Sequence, residues 1–136
     1  MYSKSMIAKE LVAASTEPLI LSLLSKGENY GYAIIQEVKK LSGEEMKWTD
    51  GMLYPVLHRL ERFGHVEARW EVAESGRRRK YYRITPRGRA QLAEERNQWQ
   101  VVDATLRGIW QALSVSISVS VPANHPAAAA TLQQGA

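Results

Sequence analysis

Four consecutive cations are the residues of this sequence best suited to chemistry: Arg77, Arg78, Arg79 and Lys80. Cations this close together repel one another in water, and a nearby phosphate backbone offsets that repulsion. They follow a Ser75-Gly76 dipeptide that favours a turn, so we expect them at the tip of a loop. The run predicts a loop that binds a polyanion, with a solvated charged face as the alternative.

A second candidate group lies on a helix predicted over residues 49–63. Four apolar residues are spaced to dock one face of this helix: Leu53, Val56, Leu57 and Leu60. The opposite face carries small or hydrogen-bonding residues: Gly51, Tyr54, His58 and Arg62. Because these tips can donate and accept hydrogen bonds, the exposed face is suited to reading another molecule.

Enzyme chemistry has little support in this sequence. The chain has no cysteine, which excludes disulfides, thiolate zinc sites and a cysteine nucleophile. The histidines, His58, His65 and His125, form no pair at helical spacing that could bind a metal. No catalytic triad, glycine-rich phosphate loop or paired-carboxylate spacing stands out, so we expect no enzyme activity, no metal and no cofactor.

Size predicts one small domain, and the charge suits either a polyanionic partner or a solvated charged face. The chain has 136 residues, 45% of them apolar, and a formal net charge of +4. Residues 1–58 hold six Lys and seven acidic residues, residues 59–107 hold twelve Lys or Arg and seven acidic residues, and residues 108–136 hold none. The basic surplus is therefore confined to the middle segment. No apolar run approaches the roughly 20 residues of a membrane helix, so we expect a cytoplasmic protein with no membrane partner.

The expected fold is mainly α with a small β-hairpin. An N-terminal arm helix over 4–14 is followed by a helix over 17–25 that Thr16 caps, and by a third over 30–41. After the helix at 49–63, residues 66–72 alternate in polarity and pair with 80–84 across a basic loop, with Trp70 packed at the hairpin base. Three helices followed by a basic hairpin form a winged helix-turn-helix domain, which we expect over residues 1–85.

The last predicted element is a long helix from Thr85-Pro86 to Leu113. Its apolar residues follow a heptad spacing, which we call the seam: Leu92, Trp99, Val102, Leu106, Ile109 and Leu113. A seam of this kind favours a partner helix in a symmetric dimer over packing back on the same domain. Residues 86–113 are thus the expected dimerisation helix, and residues 114–136 a flexible tail.

Three motifs in this order resemble the PadR family of bacterial transcriptional regulators. The motifs lie at Asn29 to Ile34, Gly51 to Glu61 and Gly76 to Thr85. The resemblance covers about residues 7–113 and implies a homodimeric, ligand-responsive transcriptional repressor.

In a winged-helix dimer, two recognition helices about 34 Å apart meet successive major grooves of pseudo-palindromic double-stranded DNA. We expect Gly51, Tyr54 and His58 to face the groove. The other candidates would hold phosphates: Lys47, Thr49, Arg62, Arg77, Arg78, Arg79 and Lys80.

Around Trp99, the C-terminal helix is similar to that of the lactococcal multidrug-binding member of the family. This resemblance implies that Trp99 stacks on a flat aromatic compound and that Asp103 attracts a cationic one. It also implies further lining residues: Leu11, Pro18, Ser22 and Val102. The alternative is that Trp99 is simply interface core. Two other function classes stay open: a winged-helix protein-interaction module, and a ligand-binding dimer without specific DNA binding.

Overall fold

The computed structural model describes residues 7–116, which form four helices and a three-stranded sheet. The elements are α1 (Lys9–Leu24), β1 (Asn29–Tyr30), α2 (Gly31–Leu41), α3 (Asp50–Arg62), β2 (Val66–Val72), β3 (Arg78–Ile84) and α4 (Pro86–Ser116). The strands lie in the order β1-β3-β2, and both pairings are antiparallel. The predicted fold class, mainly α with a winged helix-turn-helix, is therefore confirmed.

Two threonines set the starts of the helices that flank the hairpin. The Thr49 hydroxyl accepts a hydrogen bond from the Met52 amide at 3.3 Å and so caps α3. The Thr85 hydroxyl accepts from the Gly88 amide at 3.0 Å and donates to the Gly64 carbonyl at 2.6 Å. Both helices therefore begin where a side-chain oxygen satisfies an amide that the helix itself leaves unpaired.

The core lies between the first three helices and the sheet. Its most enclosed side chains come from all of these elements: Ile20, Leu21, Leu24, Ile34, Leu53, Leu57, Leu60, Val66 and Tyr82. The buried leucines of α3 are those whose spacing predicted a docked face. Burial of that face keeps the opposite side of α3 at the surface of the domain.

The prediction of two separate N-terminal helices is wrong, because α1 runs without a break from Lys9 to Leu24. Thr16 does not cap a helix start: it is buried within α1, and its hydroxyl donates to the Val12 carbonyl at 2.6 Å. A threonine inside a helix can bond to the preceding turn in this way. The Thr16-Glu17-Pro18 sequence resembles a helix start, but α1 accommodates Pro18 in its interior.

Strand β1 was not predicted. Asn29 and Tyr30 pair with Tyr82 and Tyr81 of β3, so α2 begins at Gly31 rather than at Tyr30. A strand this short has no alternation pattern, and its pairing depends on residues distant in sequence. Strand β3 also starts earlier than predicted, at Arg78, which puts further cations inside the strand.

The chain divides into two compact units after Glu95, later than the boundary expected at residue 85. The start of α4 belongs to the first unit, since Leu92 is buried in the core of that unit. Leu92 therefore does not lie on an open seam as predicted. Gly88 lets α4 lie close to the chain before β2, because a Cβ at this position would overlap the His65 carbonyl oxygen.

The second unit, residues 96–136, is helical as far as Ser116. The tail predicted over 114–136 is thus helical at 114–116, and its remainder, 117–136, lies outside the described residues. Within residues 7–116, no helix combines the length and the apolar character that crossing a membrane requires.

A polar cluster joins half-buried side chains of α1 and the start of α4 to an exposed arginine of α3. Arg59 Nη2 donates to Glu17 Oε1 at 3.0 Å, and Gln91 Nε2 donates to Glu95 Oε2 at 2.9 Å. Glu95 Oε1 is buried and accepts no hydrogen bond from the described residues. When this oxygen carries a proton, it can act as a donor instead. Burial and then the Glu17 carboxyl raise the pKa of Glu95 to about 7. Burial acts to raise the pKa of Glu17 as well, but hydrogen bonds with Glu95 and Arg59 lower it overall.

Candidate nucleic-acid interface

A cleft of about 800 Å³ lies between α3, the start of α2 and the β2–β3 hairpin, which we call the wing. The residues that line this wing cleft are Tyr30, Gly31, Tyr32, Tyr54, His58, Trp70, Arg77, Arg78, Arg79, Lys80 and Tyr82. It brings the predicted basic run together with Tyr54 and His58 of α3. None of the described residues that line it is acidic, so its walls offer positive charge and aromatic surface to whatever enters.

Tyr54 forms part of the cleft wall and does not stand free on α3 as predicted. It is half-buried, and a Cβ built on Gly31 would overlap its hydroxyl and lie 2.7 Å from its Cζ. Burial, and then the charge of Asp50, raise the pKa of the Tyr54 hydroxyl, which keeps it protonated and able to donate. Helical spacing gave the direction of this side chain but could not show that α2 crosses α3 there.

The rest of the outer face of α3 is open. His58 is exposed, and its ring centroid lies 6.3 Å from that of Tyr54. A Cβ built on Gly51 would meet one side-chain atom, at 3.8 Å, among the described residues. Arg62 is exposed, with its guanidinium 5.7 Å from the Phe63 ring centroid. A large partner can therefore approach the outer face of α3 at Gly51, His58 and Arg62.

Lys47 and Thr49 precede α3 and lie outside the lining of the wing cleft. Both are exposed, and within residues 7–116 no ion pair involves Lys47. The Thr49 hydroxyl already accepts a hydrogen bond from the Met52 amide, so it would contact an outside partner mainly as a hydrogen-bond donor.

A tight turn closes the wing and presents Arg77 near its tip. The Ala73 amide donates to the Arg77 carbonyl at 2.8 Å, and the Gly76 amide donates to the Ala73 carbonyl at 2.8 Å. Gly76 has a φ of +87°, a backbone conformation that glycine adopts without strain. The connecting loop predicted over 73–78 is present and ends one residue earlier, where β3 begins.

The four wing cations are not equivalent, because successive residues of a strand point to opposite faces. Arg78 Cζ and Lys80 Nζ lie 4.4 Å and 6.0 Å from the Trp70 ring centroid. Arg79 Cζ lies 4.5 Å from the ring centroid of Tyr30, which belongs to β1. The basic run is thus divided between two aromatic partners.

Ion pairing separates the wing cations further. Lys80 Nζ lies 3.6 Å from Glu61 Oε1 of α3, and this carboxylate partly neutralises the charge of Lys80. Arg77, Arg78 and Arg79 form no ion pair within the part of the chain that the structure describes, and Arg79 differs from the other two in lying over the Tyr30 ring. The charges of these arginines are therefore more available to an external anion than that of Lys80.

On the other face of the wing, arginines form ion pairs with glutamates. Arg69 pairs with Glu28, and its Nη1 lies 3.0 Å from Glu71 Oε1. Arg83 Nη2 lies 2.7 Å from Glu67 Oε1. Because Arg69 and Arg83 have acidic neighbours, the wing arginines without an ion pair in residues 7–116 are Arg77, Arg78 and Arg79.

The residues implied for an effector site lie on two helices. Trp99 and Val102 are exposed on α4, and Asp103 Oδ2 accepts a hydrogen bond from Arg107 Nε at 2.8 Å. A cationic ligand would therefore compete with Arg107 for Asp103. The others lie on α1: Leu11 is exposed, and Pro18 and Ser22 are half-buried.

An uncovered apolar row follows α4 beyond Glu95. The members of the predicted seam in this unit are 38% to 53% exposed: Trp99, Val102, Leu106, Ile109 and Leu113. Exposed apolar surface at heptad spacing is unfavourable in water and suited to a partner helix.

Sequence reasoning missed the aromatic half of the wing cleft, Tyr30, Tyr32, Trp70 and Tyr82. Trp70, expected to pack at the base of the hairpin, is 55% exposed. The interleaving of aromatic and basic residues from Trp70 to Tyr82 is the signal that could have found part of this set. Tyr30 and Tyr32 lie far away in sequence, and only the fold brings them to the cleft.

The residues that build the core, α3 and the wing also match a known family. Residues 20–94 match the sequence model of the "Transcriptional regulator PadR-like family". The chain belongs to this family. PadR-like proteins are transcriptional regulators and not enzymes, and the same holds for this chain.

Several PadR-like and other bacterial regulators are similar to this chain. Transcriptional regulator Rv3488 of Mycobacterium tuberculosis is 39% identical over 88 residues, which cover 65% of this chain and 78% of that protein. The structure of a transcriptional regulator from Clostridium thermocellum, Cth-833, matches with 28% identity and a TM-score of 0.69, covering 75% of this chain and 96% of that one. PadR-like regulator BC4206 from Bacillus cereus matches with 29% identity and a TM-score of 0.66, covering 76% and 98%.

Proposed function

We propose that this PadR-like regulator is a homodimeric repressor that binds a pseudo-palindromic operator in double-stranded DNA. The observation that carries the proposal is the wing cleft, where the exposed face of α3 adjoins Arg77 and Arg78. The major groove admits an α-helix, and a wing beside that helix reaches the adjacent backbone. A dimer held on a promoter in this way blocks transcription.

In this complex α3 enters the major groove. Gly51 lets the helix backbone approach the bases, and Tyr54 and His58 offer hydrogen-bonding tips to base edges. Lys47, Thr49 and Arg62 lie before and at the end of α3, within reach of the flanking phosphates.

The wing supplies contacts that do not depend on base sequence. Arg77 and Arg78 pair with phosphates, while Arg79 stacks on Tyr30 and Lys80 shares its charge with Glu61. Neutralised phosphates release counterions, so the affinity falls as salt rises.

Two copies of the chain pair through α4. The uncovered seam from Trp99 to Leu113 supports this pairing, because twofold dimers are the commonest closed oligomers. Such a dimer presents two copies of α3 about 34 Å apart, to successive turns of one duplex.

Competition binding tests the proposed repressor. The purified protein is titrated with the fragment upstream of its own gene and with random DNA of equal length, at two salt concentrations. We expect a preference of about a thousandfold or more for the upstream fragment, with a steep loss of affinity in salt for both. Equal, weak binding to both fragments would contradict the proposal and favour a winged-helix protein-interaction module.

Release of DNA on binding a flat aromatic compound is the second part of the proposal. Trp99 offers an indole face, and Asp103 offers a carboxylate to a cationic ligand that displaces Arg107. This part of the proposal rests on the sequence resemblance around Trp99, which also implied Leu11, Pro18, Ser22 and Val102 as ligand contacts. A ligand releases DNA only if it binds the DNA-free arrangement of the dimer more tightly.

Indole fluorescence tests the effector site with rhodamine 6G, a flat aromatic cation, as the probe. We expect the dye to quench emission and weaken DNA binding in the wild type, and Trp99→Leu to abolish both effects. Trp110→Leu, also on α4, is the matched control and keeps both. Quenching without any change in DNA binding would favour a ligand-binding dimer, and quenching that survives Trp99→Leu would refute the site.

A further inference from the structure

Trp70 is a large apolar side chain that the wing holds in the open. The residue is 55% exposed and lies opposite Lys80 in the β2–β3 pairing. It lines the wing cleft together with Tyr54 and His58 of α3. Leaving this much indole in water costs free energy, and packing within its own domain does not account for it.

Two cations restrain the indole. Arg78 Cζ lies 4.4 Å and Lys80 Nζ 6.0 Å from the ring centroid, both from alternate residues of the paired strand. Each cation–π contact is weak at an exposed site, but together they favour one ring orientation. The ring is therefore held beside Arg78, whose charge has no acidic partner within residues 7–116.

We propose that Trp70 is a DNA-contacting residue that packs its indole against the deoxyribose of the backbone strand whose phosphates Arg77 and Arg78 hold. This inference rests on the proposed function. The charge of the wing cleft selects a polyanion, since none of its described lining residues is acidic. A DNA backbone alternates charged phosphates with apolar sugar faces, which matches the neighbouring guanidinium and indole of Arg78 and Trp70.

A sugar contact and a phosphate contact differ in their response to salt. A cation that neutralises a phosphate releases counterions, whereas an indole on a sugar does not. Loss of the Arg78 charge should therefore reduce the salt slope of binding by about one. Loss of the Trp70 ring should weaken binding at every salt concentration and leave the slope unchanged.

The experiment measures affinity for the upstream fragment and for random duplex DNA over a salt series. The variants are Trp70→Leu, Trp70→Phe, Arg78→Gln and Val72→Ala; Val72 is an exposed residue of the same strand that does not line the wing cleft. We expect Trp70→Leu to weaken binding to both DNAs by about tenfold. Trp70→Phe should keep most of the affinity because it keeps an aromatic face, and Val72→Ala should match the wild type.

Fluorescence gives a second readout that does not depend on affinity. DNA at saturating concentration should quench part of the indole emission of the wild type, and that part should be missing in Trp70→Phe. A variant counts as folded if its melting temperature equals that of the wild type.

Three results would overturn the inference. Trp70→Leu could leave the affinity unchanged, or DNA could quench Trp70→Phe as fully as the wild type. Trp70→Leu could also reduce the salt slope as much as Arg78→Gln does, in which case Trp70 acts only by positioning Arg78. Failure of the wild type to bind either DNA would instead refute the proposed function, and this inference with it.

Discussion

Tyr54 reaches the wing cleft because Gly31 leaves space for its ring. Gly31 is the buried first residue of α2, and a methyl group there would overlap the Tyr54 hydroxyl. One contact thus sets both the packing of α2 on α3 and the position of a side chain that we propose reads base edges. At this scale the site depends on single atoms, and two substitutions test it.

Gly31→Ala should lower the free energy of unfolding by about 1–3 kcal/mol, because the new Cβ must displace Tyr54. Gly108→Ala is the matched control, since a Cβ built there within α4 meets no described atom within 4 Å. Alanine at 108 should raise stability by up to about 1 kcal/mol through its higher helix propensity. Urea unfolding followed by circular dichroism measures both, and shifts of the same sign would refute the Gly31 contact.

Replacing Arg77 and Arg78 together with alanine should weaken binding to every DNA sequence and reduce the salt slope by about two. Their charges have no acidic partner in the described chain, so the phosphates are their proposed counterions. Arg83→Ala, which removes an arginine already paired with Glu67, should leave the slope unchanged. A double variant that keeps the wild-type slope would rule out the wing as the phosphate-binding element.

At the scale of elements, α4 begins in one unit and continues in the other. Its first turns are fastened to the winged helix-turn-helix by the Thr85 cap, by buried Leu92 and by the cluster of Glu95, Glu17 and Arg59. Beyond Glu95, α4 carries the uncovered seam. Sequence patterns predicted the starts of α3 and α4 well, because each capping threonine lies three residues from the amide that it caps.

Glu95 makes the stability of the first unit depend on pH. Its folded-state pKa of about 7 lies above its ordinary value of 4.5, so between these values the folded chain keeps a proton that the unfolded chain loses. Stability should therefore fall as pH rises from about 4.5 to about 7. The lowered pKa of Glu17 acts below its ordinary value of 4.5, outside this window.

Glu95→Gln should remove this fall, because an amide has no proton to lose in the window. Melting temperatures measured from pH 4.5 to pH 8 test the prediction, and the variant should gain most over the wild type at the alkaline end. Glu74→Gln, at an exposed position in the wing turn, is the control and should follow the wild-type profile. A Glu95→Gln profile parallel to that of the wild type would refute the cluster as the source of the pH dependence.

At the scale of the whole molecule, patterns along the chain predicted the order of the helices and the wing. They did not predict contacts between residues that are distant in sequence. Thr16 resembled a cap but lies inside α1, and Leu92 fits the heptad but packs into its own unit. Tyr30 lies in a strand because it pairs with Tyr81 of β3, which is distant in sequence. The basic half of the wing cleft was predictable from one run of cations, whereas its aromatic half comes from residues that only the fold assembles.

The central claim is that two copies of the wing cleft hold one duplex, and hydroxyl-radical footprinting of the full chain on the upstream fragment tests it most directly. We predict two protected segments related by twofold symmetry, with centres about 10 base pairs or a multiple of that apart. A single protected segment would contradict the homodimer. Uniform cleavage at a protein concentration that saturates binding would contradict a specific operator altogether.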